Sequence, residues 1–156
     1  MNYAKAQKDV LTSLLKNSKA VINCLAPDDR VIFIVDGTHA FVFPEDINWI
    51  DAERIEASCS LPNMCLPVMC AENKLEPTEN LIDDYGVLAR QFIRMGHTAG
   101  VKSIYIQEQF LKNFEQPIFY QEIDKPKGVV AITEITQLEG EVLVGFVMPY
   151  LKKDFE

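Results

Sequence analysis

Two short runs of β-branched and aromatic residues, Val31-Ile-Phe-Ile-Val35 and Thr38-His-Ala-Phe-Val-Phe43, flank Asp36-Gly37. A two-residue turn that matches the twist of a hairpin needs positive φ at its centre, which Gly adopts freely and Asp tolerates. The segment therefore predicts an antiparallel hairpin. Pro44 ends its second strand, because proline lacks the N–H that a ladder needs. A chain of 156 residues suits one domain, 1–156. It is long enough to bury a core without disulfide or metal staples.

Ahead of the hairpin, residues 3–25 repeat apolar side chains at helical spacing. Tyr3, Val10, Leu14, Val21 and Leu25, joined by Leu11, Leu15 and Ile22, fall within an arc of roughly 140°. The spacing predicts one long amphipathic helix of about 34 Å. On the same wheel Lys5, Lys8, Lys16 and Lys19 share an arc of roughly 80°, with Thr12 between them. Four lysines against Asp9 give this segment +3, which leaves −11 on the remainder of a chain whose total is −8. Such an acidic total disfavours a protein coated in nucleic acid, but it does not exclude a basic face. The stripe is either an anion contact or the solvated side of an ordinary helix.

Residues 47–57 fit either a short helix or an edge strand. Residues 58–80, with Pro62, Pro67 and Pro77, read as an irregular connection. Thr78 and Glu79 predict the start of a second helix over roughly 79–95. Leu81, Tyr85, Leu88, Phe92 and Met95 would face inward, with Gly96 and Gly100 as its stop. A strand over 101–106, a short helix over 107–114 and strands over 118–123, 128–136 and 141–150 follow. The order predicts an α+β fold with a mostly antiparallel sheet. The apolar stretches 31–35 and 142–151 are too short to cross a membrane, and no leader follows Met1. A soluble, cytoplasmic protein is expected, and self-association stays open.

Chemistry-bearing residues are sparse. Cys59, Cys65 and Cys70 are spaced more widely than the C-x2-C pairs that zinc favours. With Cys24 they read as reduced thiols, and neither metal nor cofactor is expected. Asp36 reads as a turn former and His39 as a packed histidine beside Phe41 and Phe43. Arg90 and Arg94 would grip an anion together or pair with Asp83, Asp84 or Glu79. No phosphate loop, dinucleotide fingerprint, nucleophile elbow or H-E-x-x-H motif occurs. Trp49, with Ile47 and Ile50, and Met64 and Met69, with Leu66 and Val68, form two candidate partner surfaces.

The stretch 103–151 resembles the last half-module of a DNA sliding clamp. The matching pieces are Ile104-Tyr-Ile-Gln-Glu-Gln-Phe-Leu-Lys-Asn-Phe114, two further strands and the closing Gly145-Phe-Val-Met-Pro-Tyr150. The stretch 8–44 is similar to the first half-module, with Leu14-Leu15-Lys16 on its helix and the Asp-Gly hairpin after it. The resemblance implies a clamp-like topology that presents basic helix faces to a duplex DNA backbone through Lys5, Lys8, Lys16 and Lys19. It also implies a peptide-contacting end at Val147, Met148 and Pro149. The chain supplies at most one of the domains a ring needs, and residues 58–100 have no counterpart. The expected function is a non-enzymatic interaction module contacting nucleic-acid backbone or a protein of DNA metabolism. The alternatives are a protein-binding regulatory domain without nucleic acid, and an enzyme with a carboxylate or histidine site.

Overall fold

The computed structural model describes residues 1–17, 21–25, 30–43, 57–58, 66–94, 103–123 and 125–151. Helix α1 (Tyr3–Lys16) is capped by the Asn2 side chain, which accepts from the Lys5 amide. The strands are β1 (Val21–Leu25), β2 (Val31–Val35), β3 (His39–Phe43), β4 (Ala57–Ser58), β5 (Lys74–Asp84), β6 (Val87–Arg94) and β7 (Ile104–Gln107). A short helix α2 (Glu108–Leu111) then precedes β8 (Ile118–Tyr120), β9 (Val130–Thr136) and β10 (Gly140–Val147). Among the described residues these form one sheet in the order β4-β1-β2-β3-β10-β9-β8-β5-β6-β7. Every neighbouring pair is antiparallel except β1 with β4. The fold is α+β, with an N-terminal helix on a mostly antiparallel sheet. No described helix is long and apolar enough to cross a membrane.

Six consecutive strands run β1-β2-β3 and then β10-β9-β8, so their order is mirrored about the β3–β10 pair. Each set of three follows a helix, α1 or α2. Along β2 and β3 the side chains alternate between two apolar layers, as strand geometry requires. Phe33, Val35, Phe41 and Phe43 join Ala6 and Val10 of α1, Phe110 of α2 and Phe92 of β6 in the larger cluster. Ile32, Ile34, Ala40 and Val42 turn the other way, into a smaller cluster with Phe146 and Val129. Each buried phenylalanine contributes roughly 1.5–3 kcal/mol through water exclusion. Both helices therefore lie on one face of the sheet.

The hairpin forms as expected at Asp36-Gly37, but its loop is three residues rather than two, because Val35 pairs with His39 and leaves Thr38 in the turn. Asp36 and Gly37 are left-handed, at φ 53° and 68°, and β2 pairs with β3 over all five positions. Two helix expectations fail. The predicted 3–25 helix stops at Lys16, where Asn17 is already extended at φ −156°. Residues 21–25 instead pair along their length with β2. Val21 and Ile22 suit a strand as well as a helix, and an open strand edge beside them decides between the two. The predicted 79–95 helix is the β5–β6 hairpin. Its bulge at Thr78–Asn80 breaks the alternation that would have announced a strand. Of its predicted inward residues Phe92 is buried, whereas Leu81, Tyr85 and Leu88 are exposed. The connection also ends earlier than expected, because β5 begins at Lys74.

Tyr85-Gly86 makes the hairpin turn, with both residues left-handed at φ 51° and 90°. Tyrosine in that region stores strain on the order of 1–3 kcal/mol that Asn or Gly would avoid. The hairpin is held to the body from two sides. Arg90 donates two hydrogen bonds of 3.0 Å to the Glu108 carboxylate of α2. Tyr150 donates its hydroxyl to Asp84, and its amide bonds the Tyr105 carbonyl of β7 at 2.7 Å. Arg94 donates to the carbonyls of Glu72 and Gln121, so the two arginines do not share one anion.

Gly145 lies where β10 crosses β3. A Cβ there would stand 2.5 Å from the Ala40 carbonyl oxygen and 3.0 Å from the Phe114 ring. Gly145→Ala is expected to cost about 1–3 kcal/mol by pushing β10 off β3, read as a lower urea midpoint. A second check concerns Glu141 of β10, which accepts the hydroxyls of Tyr120 on β8 and Thr133 on β9. These bonds hold the Glu141 carboxyl below its usual range. Burial first, then Glu141, pushes the Tyr120 phenol up to about 12. A phenol that keeps its proton more tightly when folded stabilises fully below pH 10, and loses that contribution as pH rises toward 12. Unfolding free energy should fall across this window, and fall less steeply in Tyr120→Phe.

Candidate functional site

α1 and α2 leave a groove of about 520 Å³ between them, floored by β3 and the Asp36 turn. The first wall is set by helix geometry. Ala6 and Val10 are buried on the sheet, which turns Lys5, Lys8, Thr12 and Lys16 to solvent on one edge. The second wall is α2 and the turn after it. Phe110 and Asn113 are buried there, and Lys112 is exposed. Four ammonium groups (Lys5, Lys8, Lys16 and Lys112) thus line one groove.

The floor holds two carboxylates, each already engaged. His39 is 5% exposed and its Nε2 lies 2.9 Å from Asp9 Oδ2. A carboxylate only accepts, so Nε2 carries the proton; in the neutral ring Nδ1 then accepts the Thr38 hydroxyl at 2.9 Å. The His39 ring stacks on Phe110 at 4.3 Å between centroids, with planes 24° apart. Asn113 adds a bond of 3.5 Å to Asp9, and Ser13 donates to Asp36 at 3.1 Å. This network pins α1, β3 and α2 to one another. Four lysines against two carboxylates leave the groove with an excess of positive charge, while the bonds orient the acids without cancelling them. Chemically the arrangement offers a positive track. Both His39 nitrogens are spent on Asp9 and Thr38.

The sequence-predicted residues are distributed unevenly. Lys5, Lys8 and Lys16 share the groove; Lys19 lies outside the described residues. Trp49 and Met64 also lie outside them. Met69 is 45% exposed, just before β5 and away from the groove. Val147 and Pro149 are buried, so neither turns its side chain outward; Met148 is half-buried against the smaller cluster. Cys70 is a free, half-buried thiol, and among the described residues no group of His, Cys, Asp and Glu could hold a metal ion. Lys112 escaped the sequence reading. Its signal was the i, i+3 spacing from Gln109, the other α2-side residue of the groove that faces water.

Replacing Asp9 tests the floor. Asp9→Ala leaves a buried His39 N–H without an acceptor and is expected to cost about 1–3 kcal/mol in urea unfolding. Asp9→Asn, which keeps a carbonyl oxygen there, should cost clearly less. No protein-family model matches the chain, and no curated protein or solved structure matches it.

Proposed function

We propose that this chain is a non-enzymatic interaction module with clamp-like topology, and that the α1–α2 groove takes a nucleic-acid phosphate backbone. The single observation that carries the reading is the groove itself, with four lysines on its two walls against two acids. Lys5 to Lys16 spans about 16 Å of helix axis, comparable to the rise of roughly five base steps. Lysine ammoniums act as point charges on phosphate and read no base, so the binding is independent of sequence. The acidic remainder of the surface repels a polyanion and confines it to this track.

The mirrored strand order supports the clamp-like part of the reading. Helix and three strands occur twice, the sets meet at β3–β10, and both helices share one face of the sheet. That is the arrangement two clamp half-modules would make.

Salt dependence is the test. Binding of a fluorescent DNA oligomer through four phosphate contacts should weaken roughly 100-fold between 50 and 200 mM salt. Changing Lys5, Lys8, Lys16 and Lys112 together to Gln should abolish most of the affinity at low salt and flatten the salt slope. All four are exposed, so the fold should survive, as circular dichroism would report. An unchanged affinity in the variant would refute the groove as the contact.

A further inference from the structure

We propose that the groove continues across α2 to the tip of the β5–β6 hairpin, where Tyr85 stacks on an unpaired base, so that the polymer taken up is single-stranded. The inference rests on the backbone reading above and names the class of nucleic acid it takes.

The first observation is continuity. A second hollow of about 190 Å³ lies between the hairpin turn (Gly86, Val87, Leu88) and the start of α2. Gln109 and Lys112 line both hollows, so one path runs from the α1 lysines, past Lys112, to the turn.

The second observation is the residue at the end of that path. Tyr85 is 101% exposed and sits at φ 51°, where Asn or Gly would rest without strain. Its ring gains no burial in return for that strain. Exposed aromatics beside a positive track are how proteins hold single strands, since every base has a π-face to stack on. A duplex offers no such face along its length, because its bases already stack on each other. Leu88, 45% exposed beside the turn, extends the apolar contact.

Asp83 and Asp84 directly precede Tyr85 and keep their charge, so the phosphates run along the lysines as far as Lys112 and only a base reaches the ring. Glu108 is paired with Arg90, Asp83 accepts the Gly86 amide at 2.8 Å, and Asp84 accepts the Tyr150 hydroxyl. These same bonds hold the backbone of the tip to the body of the domain.

The experiment compares a twelve-residue oligothymidylate with a duplex of equal length, by fluorescence anisotropy on the full chain. Tyr85→Asn keeps a residue that tolerates the turn, so folding is retained. It should weaken oligothymidylate binding five- to fifty-fold while changing duplex binding less than twofold and leaving the salt slope intact. Tyr85→Trp should restore single-strand affinity to within twofold. Equal binding of oligothymidylate by the wild type and Tyr85→Asn overturns the stacking role, as does an equal loss on both nucleic acids. If those results come with a lysine variant that still loses all affinity, the backbone reading survives and only the single-strand inference falls. Absence of any binding by the wild type at low salt overturns both.

Discussion

The pairing of β3 with β10 is the contact on which the rest of the molecule depends. It joins strands about 100 residues apart, through Phe41 with Gly145, Ala40 with Phe146 and His39 with Val147. Without it the N-terminal and C-terminal strand sets would each present an apolar face to water. With it, one face carries both helices and a shared core. The approach is so close that the residue at position 145 has no room for a side chain against Ala40. A constraint of this kind is all-or-none, because a shifted register would turn the phenylalanines of β3 away from the helices.

That pairing also creates the groove. α1 and α2 are far apart in the chain and share no sequence motif. They become neighbours because each packs on the strand sets that meet at the β3–β10 pair. His39 then performs a joining task, with Asp9 of α1 on one ring nitrogen and the Phe110 ring of α2 against its face. The lysines need no such precision. Their charge acts over a Debye length of about 8–10 Å, so side-chain mobility does not blur the track. The floor of the groove is therefore held by specific bonds, while its rim is lined by exposed lysines.

Legibility in the sequence followed the range of the interactions involved. The Asp36-Gly37 hairpin was readable because its turn chemistry and both strands are local. So was the order of short helix and three strands after residue 103, where β-rich runs are separated by clear breaks. The hairpin at Tyr85-Gly86 was not, for two reasons. A bulge opposite Gln91 interrupts its alternation, and the tyrosine occupies a turn position usually held by Asn. Residues 21–25 were misread because an apolar run of five suits either element, and only the neighbouring strand decides between them.

The sequence by itself determined the amphipathic N-terminal helix, the basic edge at Lys5, Lys8 and Lys16, the first hairpin and the α+β class. All of these follow from spacing within a few residues. Tertiary structure alone decided where α1 ends, that β5 and β6 are strands, that Lys112 joins the other lysines, and that Val147 and Pro149 are turned inward. The physical reason is the same in each case. These outcomes depend on backbone partners and packing surfaces contributed by distant segments, and their energies exceed the fractions of a kcal/mol by which local propensities differ.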